Sequence, residues 1–186
     1  MQTYEITIAG ITRHLPIVKI KDELQLASFV ILGDTELTTV AANELKQRLP
    51  EVDILVTAEA KGIPLVHELA KQMNMSHYVV ARKSVKAYMQ QPFISQATSI
   101  ASQTKQLLCL DVSDVALIKG KRVALVDDVI SSGESIRALA DLVEKAGGDI
   151  VAKASIIAEG DASERDDIIF LEKLPLFLYV IMIDIY

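Results

Sequence analysis

One cysteine, Cys109, stands in a chain of 186 residues. That excludes an internal disulfide and a cysteine-rich metal site, and fits a reducing compartment in which the thiol is a small buried hydrophobe. Positive charge is also short. Lys and Arg number 19 against 25 Asp and Glu, for a formal net charge of −6, so general attraction to a nucleic acid backbone is not expected. A phosphate-bearing ligand would have to be held locally, by backbone amides and a few placed cations. Long apolar runs are missing as well. The greasiest stretch, LPLFLYVIMIDIY (174–186), is too short and too interrupted to span a bilayer, and reads as a buried terminal strand or a subunit contact. The start, MQTYEITIAG, lacks the basic segment and apolar core of a cleavable signal. A cytoplasmic protein with no membrane partner is therefore expected. Internal repeats, low-complexity tracts and Pro/Gly-rich linkers are absent too, and the length suits one domain over 1–186.

What is present fits a folded globule, at 51% apolar and 24% charged residues. Strand and helix patterns alternate. YEITIAGI and PIVKI read as short strands, and TELTTVAANELKQRL as a helix capped by Asp34 or Thr35. DILVTA (53–58) reads as a buried strand, IPLVHELAKQM (63–73) as a helix and SHYVVAR (76–82) as a strand. Residues 83 to about 106 are polar, with PFISQATSI suggesting a hairpin or flap. RVALVDD (122–128) predicts a strand, ESIRALADLVEKAG (134–147) a helix and DIVAKASIIA (149–158) a further strand. Such units favour a mostly parallel sheet covered by helices, with ligands at the carboxyl ends of the strands. Two strand-to-helix turns therefore carry most of the interest: TAEAKGI (57–63) and DDVISSGES (127–135).

In the second turn, Ile136, Leu139, Leu142, Val143 and Ala146 share one helix face, which fixes the helix start near Glu134. Ser131-Ser132-Gly133 then lies at the helix N-terminus, where unpaired N–H groups and the dipole favour an anion. Ser132 and Ser135 add hydroxyls, and Gly133 admits close approach. The same residues also suit a serine cap on an ordinary loop. The preceding Asp127-Asp128 pair tilts the balance, because adjacent carboxylates can accept hydrogen bonds from vicinal sugar hydroxyls and hold Mg²⁺ through its water shell.

An apolar run, an acidic pair, an apolar pair, small polar residues, Gly and a hydroxyl residue, in that order over 123–135, resemble the binding motif of type I phosphoribosyltransferases. Glu59-Ala60-Lys61-Gly62-Ile63 resembles the pyrophosphate loop of the purine branch. VVARKSVK (79–86) and SQTKQ (102–106) resemble stretches of the bacterial xanthine enzymes. The likeness spans roughly residues 15–160. It implies an α/β type I phosphoribosyltransferase fold: a central, mostly parallel twisted sheet flanked by helices, a base-binding hood from about 1–35 and the C-terminal segment, and a flexible flap. It also implies a homodimer that transfers ribose 5-phosphate from phosphoribosyl pyrophosphate (PRPP) to a purine, with Mg²⁺ as cofactor.

Carried onto this chain, Asp127 and Asp128 hold the ribose and the metal, while Ser131, Ser132, Gly133, Glu134 and Ser135 hold the 5′-phosphate. Glu59, Ala60, Lys61, Gly62, Arg82, Lys83 and Lys86 meet the pyrophosphate. Asp127, Asp128, Arg82 and Lys83 form the catalytic set. Lys61 is expected to point outward, leaving the work of its loop to backbone amides. Closure of the 84–105 flap, with Tyr88 over the site, would exclude water. The Glu134 side chain is expected to face away from the phosphate. Some purine members carry an aspartate, as proton acceptor, where this chain has Ser131, so no general base is assigned. Phe29 and Glu159 are the base-binding candidates, with Leu32 beside Phe29. A carboxylate at 159 accepts hydrogen bonds, which favours adenine over xanthine or guanine. The competing readings are a PRPP-binding regulator of the purine repressor type, without turnover, and an enzyme for a non-purine base. The first lacks room for a DNA-binding domain before residue 15, and the EAKGI and ARKS loops oppose the second.

Overall fold

A computed structural model describes residues 2–21, 24–98 and 105–178. The chain opens with β1 (Thr3–Ile8), β2 (Ile11–Lys21) and β3 (Leu24–Ala27), then α1 (Thr35–Arg48), β4 (Ile54–Ala58), α2 (Ile63–Gln72) and β5 (Val79–Ala81). A hairpin of β6 (Phe93–Thr98) and β7 (Lys105–Leu110) follows, then α3 (Val112–Ile118), β8 (Arg122–Ile130), α4 (Glu134–Lys145) and β9 (Asp149–Glu159). A 3₁₀ turn at Gly160–Glu164 leads to β10 (Ile169–Leu174) and β11 (Leu176–Leu178).

The central sheet has the order β10-β9-β8-β4-β5, and every neighbouring pair is parallel. Its strands are apolar almost throughout because both faces are covered. Leu55, Ala124 and Val126 pack with the buried stripes of α1 and α2 (Leu37, Ala41, Leu45; Leu65, Leu69). Their alternates Val56, Val123 and Leu125 pack with Ile136, Leu139 and Val143 of α4. Truncating a side chain as enclosed as Leu125 costs about 2–5 kcal/mol. The chain leaves β4 outward to β5 and returns to β8 on its other side, so the order reverses between β4 and β8, where such sheets bind ligands.

A second, antiparallel sheet runs β1-β2-β3-β11. Arg13 of β2 ties it to α1. Its Nε donates to Asp34 Oδ2 at 2.7 Å, while Asp34 Oδ1 accepts from Leu37 N at 3.0 Å and caps the helix.

The structure departs from the sequence reading in several places. The second strand runs through Lys21 and returns as β3, and α3 was not anticipated. β8 continues past the aspartates to Ile130, because Val129 and Ile130 still pair with Ile157 and Ala158. The acidic pair thus lies inside the strand rather than at its end. The reading of a buried terminal strand fails at Leu176, 44% exposed in β11; residues 179–186 lie outside the described residues. A hairpin does form within 83–106, but 99–104, part of the expected flap and of SQTKQ, also lie outside them. No described helix is long and apolar enough to cross a membrane.

Candidate active site

The parallel register delivers the carboxyl ends of β4, β5, β8 and β9 to one edge of the sheet. Two of the turns that leave it touch. Gly62 starts α2 with right-handed φ and ψ of −70° and −14°, so its backbone suits any residue. Space is what it lacks: a Cβ there would collide with the Thr57 hydroxyl and come within 3.1 Å of Asp127 Oδ1. The 59–62 turn is therefore seated against the acidic pair. The peptide between Glu59 and Ala60 is cis.

The two aspartates alternate across the strand and meet different surroundings. Asp127 Oδ1 accepts from Asp128 N at 2.9 Å. Burial first, and the adjacent Asp128 charge second, push the Asp127 carboxyl up to about 7. Asp128 is only 2% exposed. Its Oδ2 has no hydrogen-bond partner, although Lys61 Nζ stands 3.2 Å away as an ion pair. Distance makes this a charge contact and orientation denies it a hydrogen bond, so the oxygen keeps acceptor capacity. Lys61 therefore points inward, contrary to the expectation. No group of three or more His, Cys, Asp or Glu side chains suited to a metal exists among the described residues. Two carboxylates, one with an unsatisfied buried oxygen, nevertheless fit Mg²⁺, which typically uses one or two carboxylates plus water and substrate phosphate.

Beyond the aspartates, Ser131, Ser132, Gly133 and Ser135 line a cup of about 40 Å³ together with Asp127 and Ile136. That is room for a phosphoryl group but not for a nucleobase. Gly133 precedes α4 in a left-handed conformation (φ +77°) and supplies no side-chain cap; the Glu134 amide donates to Ser132 Oγ at 3.4 Å, and the next amides of the first turn are the donors the cup offers. Glu134 stands beside the cup rather than in its lining. Sequence reasoning missed Arg165, whose Nη1 occupies the space a Cβ on Gly133 would need. Its Nε and Nη2 are held by Asp167 at 2.8 Å. Nothing local marks this arginine, because the contact is made only by the fold.

On the other flank the register Ala58↔Ala81 sets Glu59 beside Arg82. Glu59 Oε1 is 3.2 Å from Arg82 Nη1 and 3.4 Å from Lys86 Nζ, and its Oε2 accepts from Lys83 N at 2.9 Å. The Lys83 amide first, then Lys86 and Arg82, hold the Glu59 carboxyl below its ordinary range, with burial opposing. Its negative charge cannot itself favour a pyrophosphate. What it does is gather the cations of 82–86 against the 59–62 turn. The Lys83 side chain and Ala60 are exposed.

The base candidates are less concentrated. Glu159 ends β9, half-buried, and burial pushes its carboxyl above the ordinary 4.5 while Lys61 opposes. Phe29 is 6% exposed and packs in the core; it also lines a cavity of about 280 Å³ with Arg13, Asp34 and Leu37. Glu159 does not line that cavity, so the structure does not bring Phe29 and Glu159 into one pocket. Leu32 and Tyr88 are exposed, at 49% and 61%.

Comparison with known proteins follows the same outline. The family model described as the phosphoribosyl transferase domain matches residues 35–175. An adenine phosphoribosyltransferase of Desulfosudis oleivorans is 30% identical over 123 residues, 66% of this chain and 68% of that protein. A hypoxanthine/guanine phosphoribosyltransferase of Methanococcus voltae is 33% identical over 144 residues, 75% and 71% of the two chains. The crystal structure of adenine phosphoribosyltransferase from Thermoanaerobacter pseudethanolicus superposes with a TM-score of 0.64 at 21% identity, over 94% of this chain and 95% of that one, a likeness of fold.

Proposed function

Because this chain belongs to the phosphoribosyl transferase domain family, we propose that it is a purine phosphoribosyltransferase, moving ribose 5-phosphate from PRPP to a purine ring nitrogen and releasing pyrophosphate in purine salvage. Adenine is the first choice of base. Relatives named for hypoxanthine and guanine keep the 6-oxopurines as the alternative. The observation that carries the reading is the seating of the 59–62 turn against Asp127, which itself lines the phosphate-sized cup. An acidic pair flanked by two anion sites matches a ribose with phosphate on one side and pyrophosphate on the other.

In this reading the serine-lined cup takes the 5′-phosphate, and Asp127 and Asp128 accept hydrogen bonds from the ribose hydroxyls, orienting the anomeric carbon. Arg82, Lys83, Lys86, Lys61 and the amides of 59–62 meet the charge that grows on the departing pyrophosphate. Asp127 and Asp128 would hold Mg²⁺, which would supply positive charge against the phosphates. The antiparallel sheet serves as the base-binding hood of a single domain, the β6–β7 hairpin as the root of the flap, and the enzyme works as a cytoplasmic homodimer.

The test is incubation with PRPP, Mg²⁺ and each common nucleobase, reading pyrophosphate release. Release with adenine supports the proposal in full, and release with hypoxanthine, guanine or xanthine alone moves the base. PRPP binding without turnover on any base would favour the regulator, and turnover only with orotate or uracil would sink the purine assignment.

A further inference from the structure

Forming a bond from a purine ring nitrogen to the anomeric carbon leaves that nitrogen with a proton to lose, so an acceptor must stand beside the base. Besides Glu134, which opens α4 beside the phosphate cup and is engaged there, the site has four carboxylates at its edge. Glu59 is committed to Arg82, Lys83 and Lys86. Asp128 is paired with Lys61, and Asp127 accepts from the Asp128 amide and faces Gly62. Glu159 is left, and among the described residues its carboxylate has no hydrogen bond or ion pair, only the field of Lys61. The β8–β9 register ends at the pair Ile130↔Ala158. The next residues, Ser131 and Glu159, therefore stand side by side at the carboxyl edge of the sheet, which puts Glu159 next to the turn that opens the phosphate cup. Its other neighbour is Leu174 of β10, which is apolar and 1% exposed.

We infer that Glu159 is the proton acceptor of the transfer, taking the ring N–H proton of the base from a position that Ser131, with a hydroxyl of high pKa, cannot serve. This rests on the proposed purine transfer. As the nitrogen forms its bond to the anomeric carbon, the electrons of the broken C–O bond leave with pyrophosphate, and the N–H proton passes to a Glu159 Oε. Water takes that proton after the products depart. Burial at the strand end lifts the carboxyl above its ordinary range, which brings it nearer the operating pH and makes it a better match for the task.

The experiment compares wild type with Glu159→Gln on the base that wild type turns over. Glutamine can still hydrogen-bond a purine but cannot take its proton. The expected result is a kcat lower by roughly 10²–10⁴-fold, with the KM for the base within about threefold and PRPP affinity unchanged, which also shows the variant folded. Glu159→Ala is expected to regain part of its kcat with added formate. A kcat within about threefold of wild type, or a loss confined to the KM of the base, overturns the assignment while the purine reading stands. A wild type that binds PRPP and turns over no purine overturns both.

Discussion

Replacing Gly62 by alanine isolates one contact, because the change is steric and nothing else. The backbone of Gly62 is already right-handed, so alanine there loses no conformational ease. It even gains about 0.4–1 kcal/mol by restricting the unfolded chain. Against that, the methyl meets Thr57, which is fully buried, and Asp127 at 3.1 Å from Oδ1 and 3.4 Å from Cα. Two of those neighbours are backbone or core and cannot swing away. Overpacking of this kind costs about 1–3 kcal/mol, so the net change is a destabilisation of roughly 0–2.6 kcal/mol, read as a fall of up to several degrees in Tm. The larger effect falls on binding. Relief of the clash moves the 59–62 turn off Asp127, and losing one hydrogen bond to a charged group there costs about 1.5–3 kcal/mol, roughly 10- to 150-fold in affinity. Calorimetry with PRPP and a melting curve measure the two effects separately. Thr57→Ala added to Gly62→Ala removes the first clash, and Thr57 Oγ1 gives up only a 3.4 Å bond to Ala58 O. The double variant should therefore recover its melting temperature while PRPP binding recovers in part. A Gly62→Ala protein with wild-type Tm and wild-type PRPP affinity would refute the claim that this turn is packed on the acidic pair.

Three further variants test other contacts of the fold. Asp127→Asn with Asp128→Asn should weaken PRPP binding by at least ~10²-fold, at about 1.5–3 kcal/mol for each hydrogen bond to a charged group, with the fold intact by circular dichroism; unchanged affinity contradicts the role given to the pair. Asp34→Ala should cost about 1–3 kcal/mol in denaturant titrations near pH 7, from the lost helix cap and a part-exposed pair with Arg13. The Arg13 hydrogen bond holds the Asp34 carboxyl below its ordinary 3.8, so this contribution is fully present above that pH and is lost as pH falls through the lower, folded value. A variant penalty that stays constant from pH 7 to pH 2 would contradict the assignment. Lys145→Ala should release the β6–β7 hairpin from α4, where Lys145 Nζ donates to the buried Ser95 Oγ at 3.2 Å; faster amide exchange over 93–98 with little change in Tm is the expected pattern, and unchanged exchange would refute it.

Much of the parallel sheet was legible because its strands are continuous apolar runs bounded by turns, and both functional turns were legible because glycines and serines sit where helices start. Asp34 could be read as a cap from its place before a periodic helix. Other features could not be read this way. The length of β8 past Asp128 depends on Val129 and Ile130 finding partners on β9, a fact about register that local pattern does not carry. Lys61 was expected to point outward, yet the buried Asp128 draws its ammonium inward, since a carboxylate that deep needs a counter-charge. Arg165 meets Gly133 only through the fold. Phe29, an attractive stacking residue on paper, is held by the core because an aromatic ring gains more from burial there.

Glu59 gives the cationic loop an occupant of its own. Arg82 and Lys86 are spoken for before any substrate arrives. In the proposed reaction, pyrophosphate therefore enters by exchange, displacing an internal anion. Such a rival is tethered and always at hand, at an effective concentration set by its place in the fold rather than by the solution. Part of the attraction that stabilises the departing group is thereby returned when that group leaves, and Glu59 closes on the same cations as it goes. A site built only of free cations would hold its product; one that carries its own competing carboxylate is built to let it go.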